Sequence, residues 1–144
     1  MGARKRISAE KRKEAKKEQY FAKLTGCPIT PRKMRPVANL VRGKKAEIAL
    51  AILKTSPNSS SNYLYKLLTS AINNWQQKTE NKIRIEDAGL YVKSINVDGG
   101  RMLKRIQPAA QGRAHRIKKR SNHVTIELGS KLEEIEKMNV QTQE

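Results

Sequence analysis

The pattern of apolar and polar positions predicts helices in the first half of the chain and strands in the second. The strongest helical signal lies in residues 58–78, where apolar residues recur with the spacing i, i+3, i+4, i+7, i+8 and i+11. These residues are Leu64, Leu67, Leu68, Ala71, Ile72 and Trp75. The segment from Asn58 to Ser61 offers N-cap side chains. We therefore predict a core helix in which Trp75 is buried. The alternative role for Trp75 is a platform on which a nucleic-acid base stacks.

Two shorter helices are predicted before this core helix. In the segment "TPRKMRPVANLVRGK", Thr30 is placed as the N-cap, Pro31 stands at the first helical position and Gly43 ends the helix. Its apolar stripe consists of Met34, Val37, Leu40 and Val41. Pro36 removes one helical hydrogen bond, so we expect a kink or a late start. The segment 44–57 predicts a second helix, whose inward side consists of Ala46, Ala49, Leu50 and Leu53.

The apolar period changes to two residues near position 90, which indicates strands. In residues 90–98, alternation places Tyr91, Lys93, Ile95 and Val97 on one face, and Leu90 and Val92 on the other. Residues 123–128 alternate as well, with Val124, Ile126 and Leu128 directed inward. Residues 20–29 predict one more, shorter strand. The order strand, three helices and two strands predicts an α+β fold, with three helices packed on a small three-stranded antiparallel sheet.

The segment between the last two strands allows two structures. Asp98-Gly99 is a strong turn signal, so a tight hairpin could close there. Alternatively, both strands continue outward as a ribbon whose tip lies near Pro108 and Gly112. Arms of about nine residues would then reach about 30 Å beyond the body. Neither face of such a ribbon is apolar enough to lie on the protein's own core. A two-stranded ribbon is marginal in water, so it would require an anionic partner on both faces.

The charge of the chain indicates a polyanionic partner. Thirty-one Lys and Arg against thirteen Asp and Glu give a net charge of +18. Residues 101–120 contain eight basic and no acidic residues, whereas residues 130–144 contain two basic and four acidic residues. Such an excess is typical of proteins that bind nucleic acid, and less often of those that bind an anionic membrane. Residues 1–19 are predicted to be a basic N-terminal extension, either a flexible arm or one that orders on a phosphate surface.

Other classes of protein receive little support from the sequence. Cys27 is the only cysteine, which excludes an internal disulfide. No apolar run approaches membrane-spanning length and no signal region is present, so we expect a soluble cytoplasmic protein without a membrane partner. His115 and His123 are the only histidines. No motif for a metal, a cofactor or a nucleophile accompanies them, so we do not expect an enzyme. A DNA-binding or architectural protein remains the alternative, because a basic β-ribbon can enter DNA grooves.

The sequence "GGRMLKRIQPAAQGRAHRIKKRSNHVTI" closely resembles the signature of the large-ribosomal-subunit protein family L-twenty-two. That signature has Lys-Arg before a Pro, then Gly-Arg-Ala, Ile, Lys-Arg and a final His-(Val/Ile)-Thr. "TPRKMRPVANLVRGK" resembles the family's first helix, and "AEIALAILKTSP" follows in the expected order. The resemblance covers about residues 20–128. It implies a single α+β RNA-binding domain over 20–129, with a long protruding β-hairpin at about 90–128, a basic N-terminal arm and a polar tail over 130–144.

The resemblance also implies a function and a set of site residues. The protein would be a structural constituent of the large ribosomal subunit, without a cofactor or a metal. It would bind large-subunit ribosomal RNA as a monomer, support subunit assembly and contact neighbouring ribosomal proteins. The hairpin tip would line the peptide exit tunnel and meet the nascent polypeptide; it comprises Pro108, Ala109, Ala110, Gln111, Gly112 and Arg113. The arm residues that would neutralise phosphates are Arg101, Lys104, Arg105, Arg113, Arg116, Lys118, Lys119 and Arg120. A second contact surface would comprise Arg32, Lys33, Arg35, Arg42, Lys44 and Lys45.

The tip departs from the bacterial family pattern. That pattern usually has basic residues where this chain has Ala109 and Gln111. The tip is therefore expected to be less charged than the arms that carry it.

Overall fold

Three antiparallel strands form the sheet in the computed structural model, which describes residues 3–79, 83 and 85–131. They are β1 (Tyr20–Cys27), β2 (Leu90–Pro108) and β3 (Ala114–Ser130). The strand order is β1-β3-β2, so β3 lies in the centre. Tyr20 at the start of β1 is opposite Leu128, and Leu90 at the start of β2 is opposite Ser130. The predicted three-stranded antiparallel sheet is confirmed.

Three helices pack on the sheet, as the sequence predicted. They are α2 (Pro31–Val41), α3 (Ala46–Thr55) and α4 (Ser59–Lys78). The chain also forms α1 (Ala3–Glu18) before the sheet and the single-turn helix α5 (Ile85–Ala88) before β2. α5 was not predicted, because one turn is too short to show a helical period. Residues 132–144, which make up most of the predicted C-terminal tail, lie outside the described residues.

The core lies between α4 and the sheet. All six apolar residues predicted for the inner side of α4 are buried. Trp75 is 1% exposed and belongs to this core, so the alternative of a base-stacking platform is wrong. The apolar stripe of α2 is confirmed for Met34, Val37 and Val41, whereas Leu40 is exposed. The inward side of α3 is confirmed as well, with Leu50 partly buried beside three buried residues.

Helix α2 begins at Pro31 as predicted and ends at Val41; Gly43, just beyond the C-cap Arg42, adopts a left-handed conformation at φ +73°. Thr30 occupies the N-cap, but its side chain makes no capping hydrogen bond; its carbonyl oxygen accepts from the backbone N–H groups of Lys33 and Met34. Pro36 lies inside one continuous helix, so the expected late start is wrong. Since Pro36 is exposed, water can reach the carbonyl that loses its helical donor.

The face assignment predicted for β2 is wrong after its third residue. Leu90 and Val92 share a buried face, but Ile95 is buried too, although it was assigned to the opposite face. The register shifts between Val92 and Ser94, which indicates a β-bulge. One extra residue reverses the alternation, so that Ile95 turns into the core while Lys93 stays exposed. In β3, the predicted inward residues are all buried.

The two last strands continue outward as a long ribbon, which here means residues 101–120. Asp98 lies opposite His123 and Gly99 opposite Asn122, so the tight turn at Asp98-Gly99 is wrong. The pairing resumes at Met102 after a second register shift and continues to the tip. The two glycines after Asp98 thus provide an irregularity at the ribbon root, defined as Gly99, Gly100, Ser121 and Asn122. The predicted protruding β-hairpin is confirmed.

Candidate nucleic-acid interface

The ribbon exposes nearly all of its side chains. Every residue from Arg101 to Pro108 is exposed, and on the returning arm from Arg113 to Arg120 only Ile117 is partly buried. Eight residues per arm at about 3.3 Å each give a length of about 26 Å, near the expected reach. The ribbon has no acidic residue of its own. All eight predicted arm cations are therefore exposed on an extension that makes no core contact.

The strand register places cations on both faces of the ribbon. On one face, each of three successive cross-strand pairs contains a cation: Met102 with Arg120, Lys104 with Lys118, and Ile106 with Arg116. The other face holds the pairs Leu103 with Lys119, Arg105 with Ile117, and Gln107 with His115. We call these the Lys104 face and the Arg105 face. A partner that neutralises this ribbon must therefore approach from both sides.

The Lys104–Lys118 pair is the least favourable contact of the ribbon. Like charges directly opposite each other in a sheet are destabilising, because their Cβ atoms lie about 5 Å apart. The adjacent pairs on the Lys104 face add two more cations, Arg116 and Arg120. Arg120 directs one guanidinium nitrogen to the sulfur of Met102, at 3.1 Å. A phosphate bound at this position would attract both lysines and so offset their mutual repulsion.

Apolar side chains lie between the cations, and the sequence did not assign them a role. Met102 is 43% exposed, Leu103 47% and Ile106 77%. They are too exposed to support the protein's own core, and they occur on both faces. Their apolar surface suits contact with the sugars and base faces of a folded nucleic acid. The only sequence signal for them was the absence of a hydrophobic face on either side of the ribbon.

The tip is a tight and nearly neutral turn. The backbone N–H of Ala109 donates to the carbonyl of Arg113 at 2.8 Å, and the N–H of Arg113 donates to the carbonyl of Ala110 at 3.3 Å. Gln111 and Gly112 adopt left-handed conformations, at φ +59° and +65°. Glycine tolerates this conformation, but it costs about 1 kcal/mol or more for a residue with a side chain. The turn therefore holds the Gln111 side chain in an exposed position at some cost.

The predicted second surface, beside α2, divides into two groups. Arg35 and Arg42 line a polar groove with Asn39, Asn96 and Asp98, between α2 and the outer edge of β2. Arg42 donates from its guanidinium to the carbonyl of Ile95 at 2.9 Å, and Arg35 to that of Val97 at 3.4 Å. These arginines therefore cover the sheet edge as well as facing solvent. The sequence showed their charge but not this structural role.

The other predicted cations of this surface do not line the groove. Arg32 and Lys33 are exposed in the first turn of α2. Lys44 and Lys45 follow the same sheet edge through their backbones, since Lys44 accepts the N–H of Val92 and Lys45 bridges to Tyr91. Their side chains are exposed. The structure thus brings Arg35 and Arg42 together in one groove, whereas the other four do not line it.

The histidines and the cysteine show no catalytic arrangement. The Nδ1 atom of His123 accepts a hydrogen bond from the backbone N–H of Gly26 at 3.0 Å, which makes it a structural strand residue. His115 is exposed near the tip, and Cys27 is 2% exposed. Among residues 3–79, 83 and 85–131, no group of three or more His, Cys, Asp or Glu side chains could hold a metal ion. Within those same residues, no helix is both long and apolar enough to cross a membrane.

Comparison with known proteins decides which family this fold and ribbon belong to. A family model described as "Ribosomal protein L22p/L17e" matches residues 22–129, about three-quarters of the chain. The chain belongs to the ribosomal protein L22p/L17e family. The resemblance seen in the sequence is thereby confirmed, and the match covers the body, both strands of the ribbon and the tip. The L22p/L17e family is a structural component of the ribosome and not an enzyme, so the expected ribosomal location is confirmed.

Individual relatives of this chain are similar to it over nearly its whole length. The protein named "Large ribosomal subunit protein uL22" from Flavobacterium johnsoniae is 63% identical over 130 residues, which cover 90% of this chain and 94% of the relative. The protein of the same name from Christiangramia forsetii is also 63% identical, over 90% of this chain and 96% of its own length. In Bacteroides thetaiotaomicron the identity is 56% over 131 residues, covering 91% and 95%.

Proposed function

We propose that this protein is a structural constituent of the large ribosomal subunit that binds large-subunit ribosomal RNA and supports assembly of the subunit. The names of the relatives support the choice of subunit. The observation that carries RNA binding is the ribbon, which exposes eight cations on two faces without an acidic residue between them. RNA folded around both faces would supply the negative charge that the Lys104–Lys118 pair lacks.

The tip of the ribbon lines the peptide exit tunnel in this proposal. One arm carries cations up to Arg105 and the other from Arg113 onward, whereas Ala109, Ala110 and Gln111 carry no charge. RNA is therefore expected to hold the arms, and the exposed turn is free to face an open space and the nascent polypeptide. Neighbouring ribosomal proteins are further partners, and no membrane is involved.

The surface beside α2 provides the second contact with RNA. Arg35 and Arg42 each use one guanidinium N–H on the sheet edge, and a guanidinium has five such donors. The remaining donors are available for phosphate in the groove. The exposed side chains of Arg32, Lys33, Lys44 and Lys45 add positive charge near the two ends of α2.

Salt dependence tests the RNA-binding proposal. If roughly six to ten phosphates are neutralised, affinity for large-subunit RNA should fall by about 10³–10⁵ between 50 and 200 mM salt. A flat salt profile would contradict phosphate neutralisation. Equal affinity for duplex DNA of the same length would favour the alternative, a DNA-binding or architectural ribbon. Crosslinks from residues 99–120 to the RNA would identify the nucleotides along the arms.

A further inference from the structure

Helix α1 lies before the residues matched by the family model, and its surface has no role in the function proposed above. Its side chains from Ala3 to Lys17 are all exposed, so no core holds it. A 16-residue helix of this kind is marginal by itself in water. Its charged surface is therefore the feature that requires an explanation.

The C-terminal end of α1 is fixed to the body. The ammonium group of Lys78, at the end of α4, donates to the carbonyls of Lys17 at 2.9 Å and Gln19 at 2.7 Å. Such a cation at a helix C-terminus satisfies terminal carbonyls and complements the helix dipole. The ammonium group of Lys16 lies 5.6 Å from the centre of the Phe21 ring. These contacts set the direction in which α1 leaves the body.

The charges of α1 are divided between its sides. At about 100° per residue, six of its eight basic residues fall within a sector of about 140°, with only Ala9 between them. These six residues, which we call the basic face, are Lys5, Arg6, Arg12, Lys13, Lys16 and Lys17. Glu10 and Glu14 lie beside that sector, together with Ile7. The helix thus has one strongly cationic side, which runs for about 18 Å from Lys5 to Lys17.

We propose that the basic face of α1 is a further RNA-binding site, separate from the ribbon and additional to the surface beside α2. The sheet determines this separation: α1 joins β1 at Tyr20, which lies opposite Leu128, whereas the ribbon leaves the sheet at Asn122. Six residues of β3 separate these points, or about 20 Å. The helix and the ribbon are thus attached to the sheet at different points, and we expect them to contact different segments of RNA. This inference rests on the proposed function, since it assigns α1 to the same RNA.

The composition of α1 favours RNA over an anionic membrane surface. A helix that lies in a membrane interface needs an apolar face opposite its charges. Ile7 is the only large aliphatic residue of α1, and Ala3, Ala9 and Ala15 add little apolar surface. Phosphates can be neutralised by cations alone, which is the chemistry that this helix offers.

A pair of matched variants of the full chain tests the basic face. R12Q/K13Q removes two cations from it, whereas R4Q/K11Q removes one Arg and one Lys from another side of the same helix. Gln is a good helix former, so neither variant should alter α1. The slope of log affinity for large-subunit RNA against log salt should become shallower by about 1.5 for R12Q/K13Q. Equal slopes for the two variants would overturn the proposal.

Directed cleavage of the RNA tests the separation of the two sites. Cys27 is buried, so S8C and A110C each provide one accessible thiol for a tethered iron chelate. We expect S8C and A110C to cut different segments of large-subunit RNA. Cuts from A110C alone would overturn the α1 site and leave the ribbon proposal intact, whereas no cuts from either would refute both. If R12Q/K13Q weakened binding to phosphatidylglycerol vesicles but not to RNA, a membrane role would replace this one.

Discussion

Reversing one charge of the Lys104–Lys118 pair should stabilise the free ribbon and weaken its binding to RNA. The two lysines lie directly opposite each other on the Lys104 face. Opposed like charges cost, and opposed unlike charges contribute, about 0.2–1 kcal/mol per pair. Because both side chains are exposed, screening reduces the gain from K118E to about 0.5–1 kcal/mol. This corresponds to a two- to fivefold lower population of the open ribbon, by roughly 1.4 kcal/mol per tenfold.

Amide hydrogen exchange of the free protein measures this gain. The wild-type ribbon should exchange rapidly over residues 99–120, since a two-stranded ribbon is marginal without a partner. K118E and K104E should each slow exchange between Leu103 and Gln107, and less so at high salt. The double variant K104E/K118E restores a like-charged pair. It should be less stable than the sum of the two single changes by about 1–2 kcal/mol, because the double-mutant cycle isolates the contact between the two positions.

RNA binding should change in the opposite direction. K118E removes one cation that faces a phosphate, so the slope of log affinity against log salt should become shallower by about 1. The double variant should bind most weakly of the four proteins. If the single variants exchange like the wild type, cross-strand repulsion does not limit the ribbon. If they bind RNA as the wild type does, the Lys104 face does not contact phosphate.

Three further substitutions test the ribbon root, the tip and the core. G100A would place a Cβ atom 2.6 Å from the Ser121 Oγ and 3.1 Å from its carbonyl carbon, whereas G99A meets nothing within 4 Å. We expect G100A to lower the free energy of unfolding by about 1–3 kcal/mol and G99A to lower it much less, as measured by urea unfolding. Q111G relieves a left-handed conformation and should slow amide exchange at the tip by a factor that corresponds to about 1 kcal/mol; faster exchange would contradict this. W75A should cost about 3–5 kcal/mol, because Trp75 is fully enclosed; a thermal shift near zero would show that its burial is not needed.

Helices α2, α3 and α4 and the central strand β3 could be predicted because their hydrophobic patterns were regular. The spacing from Leu64 to Trp75 covers three turns of one helix, and the alternation of Val124, Ile126 and Leu128 covers about a third of β3. Pro31 and Gly43 predicted both ends of α2. In each case the local sequence pattern favours the same secondary structure, and the same buried face, as tertiary packing does.

Prediction from the sequence failed where a single residue changes the local backbone geometry. The bulge at Lys93 reverses the faces of β2, and alternation alone cannot reveal an inserted residue. Asp98-Gly99 has the composition of a turn but stays in the ladder, because the strands beyond it pair again from Met102. For the candidate site, the residue types were predictable from charge. The cross-strand partners were not, since they depend on the register set at the ribbon root.

The proposed RNA-binding surface beside α2 and the ribbon differ in how ordered their cations are before RNA binds. Arg42 is held against the carbonyl of Ile95 and Arg35 against that of Val97, on a sheet edge supported by the core. Binding there requires little further loss of conformational entropy. On the ribbon, Arg105 and Arg120 contact only other ribbon residues, and Lys104 and Lys118 repel each other until an anion arrives. Much of the free energy gained at the ribbon is therefore spent on ordering it, so the surface beside α2 should contribute more affinity per cation than the arms.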